Sequence, residues 1–135
     1  MTGDQNMLHK NIDYDDLLAQ AVKAAEVSYS PYSQYRVGAA ILTAEGEIFT
    51  GTNVENSYIG CSICAERTAA VKAVSAGARH FLACAVANPS DDECVPCGIC
   101  RQFLSEFGKD QLIIVKKGQD GHLVMPLSEL LPQPG

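Results

Sequence analysis

The sequence is short of positive charge and lacks any long apolar run, and each shortage removes a class of function. Ten lysines and arginines stand against sixteen aspartates and glutamates in 135 residues, for a formal net charge of -6 at pH 7. Such a surface repels a phosphate backbone, and no basic groove interleaved with aromatics is evident, so a nucleic-acid polymer is not an expected partner. No apolar run approaches the roughly 20 residues that span a bilayer, so no membrane partner is expected either. The opening MTGDQNMLHKNIDYDD is acidic where a secretory signal is basic and then apolar, which makes the cytoplasm the expected compartment. Internal repeats and low-complexity linkers are also missing. The length suits a single domain over 1–135, with 1–11 expected to be a flexible leader. His9, His80 and His122 show no ligand spacing.

What the chain does have is cysteine. Six cysteines in a cytosolic chain with a normal core point to metal ligands, catalytic groups or buried thiols rather than disulfides. Five of them form three C-x-x-C pairs, in CSIC at Cys61–Cys64 and CVPCGIC at Cys94–Cys100. Cys84 lies in an apolar run and reads as core.

Apolar periodicity places these motifs. Ile12 to Ser28 reads as a helix capped by Asp13, ended by SPYS. Val37–Leu42 and Ile48–Val54 read as a hairpin turning at Gly46. A helix is expected over Cys64–Ala78 with its stop at Gly77, a buried strand over Phe81–Ala87, and a second cysteine-bearing helix from Pro96 to Phe107. Leu112–Lys117 and His122–Met125 read as strands around a GQDG turn, and Leu127–Leu131 as a short helix. A hairpin followed by strands alternating with helices predicts an α/β fold: a three-layer α/β/α sandwich around one mixed sheet. Both cysteine motifs fall where helices start after strands, the usual place for a ligand crevice in an open sheet.

Three chemistries fit the cysteines. Cys61, Cys64, Cys97 and Cys100 would make a closed four-thiolate zinc site in a non-catalytic binding module. A redox dithiol is a weaker fit, since one pair would suffice. An open site of Cys64, Cys97 and Cys100 leaves one zinc position for water, whose pKa the metal lowers to about 7. Glu66, two residues past Cys64, is either a proton shuttle for that water or an exposed first-turn glutamate favoured by the helix dipole. The combination C-A-E followed by P-C-x-x-C is the pattern of zinc deaminases.

At this point the chain resembles the cytidine deaminase family, in its small, all-cysteine, homotetrameric branch. The resemblance runs through SPYSQYRVGAAI (Ser30–Ile41), NVEN (Asn53–Asn56), CAERTA (Cys64–Ala69), PCGICRQF (Pro96–Phe103) and ELLP (Glu129–Pro132). It implies one zinc on Cys64, Cys97 and Cys100, and Glu66 as proton carrier in hydrolysis of cytidine and 2′-deoxycytidine to the uridines and ammonia, a pyrimidine salvage reaction. It further implies that Arg67 offsets the thiolate charge, that Asn53 and Glu55 bind the ribose, and that Tyr35 and the backbone at Ala65 meet the base. A homotetramer with shared active sites is implied as well.

The chain departs from the family pattern at several places. Ile59 stands where a tyrosine is common, with Tyr58 one residue earlier. Tyr35 replaces a phenylalanine, Ile99 an alanine, and the phenylalanine usual after LLP is missing. These changes bear on the substrate pocket and keep a modified cytosine nucleoside such as blasticidin S as an alternative substrate.

Overall fold

Leu17, Leu18, Ala21 and Ala25 recur on one side of α1 (Tyr14–Ala25) and are all buried. The Asp13 side chain caps this helix, accepting from the Asp16 N–H at 3.0 Å, with Asp15 and Asp16 in the positive first turn. The helix stops short of the expected Ser28 because the last N–H groups switch to tighter bonds: Val27 to the Ala24 carbonyl and Ser28 to that of Ala25. The computed structural model describes residues 12–90, 98–117 and 121–130. The expected leader 1–11, Pro96 and most of the GQDG turn lie outside them.

The apolar runs form β1 (Gly38–Thr43), β2 (Ile48–Thr52), β3 (Phe81–Ala87), β4 (Leu112–Lys117) and β5 (Gly121–Pro126). They make one sheet in the order β2-β1-β3-β4-β5. β3 and β4 pair in parallel and the other neighbours antiparallel, so the sheet is mixed as expected. β2 ends at Thr52, two residues before the expected Val54. There the chain leaves β1, and Val54 instead bridges Tyr29 and Ile63.

Because β1 is antiparallel to both β2 and β3, those two strands run the same way. The helices that follow them, α2 (Ala65–Ser75) and α3 (Gly98–Ser105), therefore start at the same end of the sheet. The register puts the start of β1 there too, with Gly38 opposite both Thr52 and Ala87.

The helices cover both faces, as the three-layer expectation requires. Leu17, Leu18 and Ala21 pack on Ala40, Ala83, Ala85, Ala87 and Ile114. On the opposite face Ala65, Ala69, Ala70 and Ala73 of α2, with Leu104 of α3 and Leu127 of α4 (Leu127–Leu130), cover Ile41, Cys84, Val86, Ile113 and Val115. β3 is buried at every position, which explains its unbroken apolar sequence. Gly46 and Gly77 sit at φ +89 and +107, at the hairpin turn and just past α2, as turn and stop residues should. His80 is exposed, and His122 meets Asp15 at 3.2 Å.

Glycine matters most where helices touch the sheet. A Cβ on Gly51 would lie 2.4 Å from the Ala69 nitrogen and 2.8 Å from the Ala65 oxygen, both backbone atoms of α2. Gly51→Ala is therefore expected to destabilise the fold by about 3 kcal/mol through overpacking. Gly46→Ala, which meets open space but a positive φ, should cost only about 1 kcal/mol. Urea unfolding midpoints check the order; equal losses would show that α2 does not press on the strand.

Candidate active site

Cys64 is the N-cap of α2, with extended backbone, and its carbonyl accepts from the Thr68 N–H at 3.1 Å. Its place at the helix start comes from the alanine-rich run that follows. Glu66, in the first turn, is only 4% exposed. The first-turn position thus carries no solvent-facing glutamate: the alanines of α2 let the helix lie so close that the carboxyl is enclosed.

Burial pushes the Glu66 carboxyl up from an ordinary 4.5 to about 7. Its own backbone N–H pulls it back down, the nearby Cys64 charge adds to the rise, and a hydrogen bond from Cys100 and the Arg67 guanidinium oppose it. Glu66 is thus within reach of both Cys64 and Cys100, the latter fully buried on α3. The two motifs, distant in sequence, meet at this carboxyl.

Cys97 lies outside the described residues. Among those described, no group of three His, Cys, Asp or Glu is placed to hold a metal ion, so a three-thiolate site would take its third ligand from outside them, where the family pattern points to Cys97. The residues present fit a zinc ion. Soft thiols stand at the ends of two converging helices, and Arg67 supplies an unused donor. Its Nη2 donates to the Ser62 carbonyl at 3.2 Å, while its buried Nε has no protein partner among the described residues. Clustered thiolates are the kind of acceptor such an N–H lacks. Arg101 is used elsewhere, donating to the Leu130 carbonyl at 3.2 Å.

A cavity of about 720 Å³ opens onto Glu66, bounded by Cys64, Ala65, Asn53, Glu55 and Tyr35. The candidate substrate contacts read from the sequence, Asn53, Glu55, Tyr35 and Ala65, thus line one cavity. Asn53 and Glu55 also do work that the sequence did not reveal. The Asn53 Oδ1 accepts from the Val37 N–H at 3.0 Å and from the Ser28 hydroxyl, and its Nδ2 donates to the Tyr35 carbonyl at 2.9 Å. Glu55 accepts the backbone N–H groups of Tyr32 and Ser33 at 2.9 and 3.1 Å, and the Ser33 hydroxyl. The Ser33 hydroxyl chiefly holds the Glu55 carboxyl below its ordinary range; desolvation, next in size, opposes it, and the Ser33 and Tyr32 N–H groups add to the lowering. The loop they shape turns at Gln34, whose φ of 59 is left-handed.

Ser33 and Val86 line the cavity but were not among the sequence candidates. Beyond its share in the family resemblance SPYS reads as a helix end, and nothing in its spacing links Ser33 to a carboxylate 22 positions away. Ile59 lines the cavity and is 87% exposed, whereas the neighbouring Tyr58 is exposed but does not line it. Ile99 is exposed on α3 and also outside the lining. Cys61 is exposed and Cys84 is buried in the core, as expected for the latter.

Residues 12–116 match the family model described as the cytidine and deoxycytidylate deaminase zinc-binding region. The chain is 48% identical to a probable cytidine deaminase of Dictyostelium discoideum over 83% of this chain and 73% of that protein. Identity to the blasticidin-S deaminase of Bacillus cereus is 36%, over 74% of this chain and 76% of that one. The crystal structure of cytidine deaminase from Burkholderia pseudomallei superposes with a TM-score of 0.85 at 38% identity, covering 92% of this chain and all of that one. Sheet order, convergent cysteine helices and these likenesses agree: the chain belongs to the zinc-binding cytidine and deoxycytidylate deaminase family.

Proposed function

We propose that this enzyme hydrolyses cytidine and 2′-deoxycytidine to the corresponding uridines and ammonia, serving pyrimidine salvage in the cytoplasm. The observation that carries this reading is the buried Glu66 carboxyl, within reach of Cys64 and Cys100 and lining a cavity large enough for a nucleoside. Cys64, Cys97 and Cys100 would hold one zinc, which supplies a water activated at neutral pH. Glu66 takes the proton of the water that adds at C4, protonates ring N3, and passes a proton to the departing amine. Water is consumed and ammonia leaves, so no other reactant is needed. Arg67 offsets the excess negative charge of three thiolates.

The cavity wall sorts substrates. Among its described lining residues there is no lysine, arginine or histidine, and Glu55 adds negative charge. A nucleoside therefore fits better than its 5′-phosphate. Tyr35 offers a ring face to the base, beside the backbone at Ala65. Asn53 keeps one amide hydrogen, and Glu55 keeps lone pairs, for ribose hydroxyls. Greater likeness to several cytidine deaminases than to the blasticidin-S enzyme supports the ordinary nucleoside. The exposed apolar rim of Ile59 and Ile63 supports completion of each pocket by neighbouring copies in a homotetramer.

Ammonia release should be rapid with cytidine and deoxycytidine and slow with cytosine, cytidine 5′-monophosphate and blasticidin S; no release from either nucleoside refutes the reading. Glu66→Gln should keep its zinc and lose turnover by about a hundredfold or more. Zinc content should be lost in Cys64→Ala and Cys100→Ala and kept in Cys61→Ser; loss in the last would restore the four-cysteine module. Light scattering should give four times the chain mass of 14.4 kDa, and a monomer would contradict shared sites.

Glu55 yields a pH prediction. A carboxyl whose folded pKa is depressed adds stability that is present above its unfolded value and lost as pH falls through the folded one. Ser33→Ala should move the Glu55 titration, followed by carboxyl-carbon NMR, up toward 4.5. The melting difference from wild type should be larger at pH 7 than at pH 3. An unmoved titration would remove Ser33 as the cause.

A further inference from the structure

The strand register aligns three residues at the site end of the sheet. Gly38 lies opposite Thr52 on one side and Ala87 on the other. One step beyond that row, Val37 is flanked by Asn53 leaving β2 and Asn88 leaving β3. Both asparagines turn their side chains onto the same peptide unit. The Val37 N–H donates to Asn53 Oδ1 at 3.0 Å, and the Arg36 carbonyl accepts from Asn88 Nδ2 at 2.7 Å. The peptide joining Arg36 to Val37 is thereby gripped at its N–H from one strand and at its C=O from the other.

Asn88 is only 3% exposed, and its other end is used as well: Oδ1 accepts from the Ser90 N–H at 2.7 Å. The Ser90 bond alone would be served equally by aspartate. The bond to Arg36 is different, because an ionised carboxylate cannot donate to a carbonyl. What it holds matters, since Tyr35 and Val37, on either side of Arg36, both line the cavity. The stretch before them is exposed and passes through the left-handed Gln34, so it has little packing of its own to fix it.

We propose that Asn88 is a positioning residue for substrate binding: by fixing the Arg36 carbonyl it holds Tyr35 and Val37 at the angle the nucleobase needs. It touches neither the reacting atoms nor, by this assignment, the ligand. The inference rests on the nucleoside reading above for the identity of that ligand.

The test uses the full-length, zinc-loaded enzyme. Asn88→Ala removes both bonds; Asn88→Asp keeps the Ser90 acceptor and removes only the donor to Arg36. In both variants KM for cytidine should rise about fivefold or more, with kcat and zinc content near wild type. A purely structural role would lower the melting temperature and leave KM unchanged, which would overturn the proposal. A rise in KM confined to Asn88→Ala would do so too, because the Ser90 bond would then be the one that matters.

Amide exchange gives a readout independent of activity. The Val37 N–H should exchange about tenfold faster in both variants while amides in the middle of β1 stay protected. Unchanged Val37 exchange overturns the proposal. Wild-type enzyme inert toward cytidine would instead count against the nucleoside reading. Should Asn88→Asp fail to fold with a buried charge, Asn88→Ala carries both measurements.

Discussion

Everything at the site depends on how closely α2 lies on the sheet. Gly51 has no side chain, so the α2 backbone rests almost directly on β2, and the small faces of Ala65, Ala69 and Ala73 keep it there. That approach closes water off from Glu66 and brings Cys64 toward Cys100. A helix one methyl group further away would leave an ordinary solvated glutamate and two separated thiols. The chemistry is local, but the distance that permits it is set by packing.

Parallel strand direction supplies the other half. Since β2 and β3 run alike, each hands its following helix to the same end of the sheet. Cys64, at the N-cap of α2, and Cys100, in the first turn of α3, are carried to that end with them. β1, running the other way, brings its preceding loop to the same place. One reversal of direction thus brings Cys64, Glu66, Cys100 and the loop before β1 to one end of the sheet from three parts of the chain.

How much of this the sequence disclosed follows from range. β3 could be read to its ends because burial on both faces gives an unbroken apolar run, and Asp13 because a cap acts over three residues. Cys64 and Glu66 sit in one turn, so their relation was visible. Whether that carboxyl was buried was not, because a first-turn glutamate looks the same in water or under a sheet. The clasp of Ser33 on Glu55, and that of Asn53 on Val37 and Tyr35, joins residues far apart in the chain and carries no compositional mark. β2 ended early for a similar reason: Val54 found Tyr29 and Ile63 as partners, a choice made by the tertiary fold.

Gly38 and Gly51 lie one register row apart on adjacent strands, yet the first would collide with Ala21 of α1 and the second with Ala65 and Ala69 of α2. Helical backbone therefore presses on the sheet from both sides at nearly the same point. At that point both layers are seated backbone against backbone, with no room for a side chain between them. Among the described residues that bound the cavity, the exposed loop over 31–36 is held instead by side-chain amides and one carboxylate. Backbone packing thus fixes one part of the cavity lining and side-chain hydrogen bonds another, so substitutions in the two act on the cavity by different means.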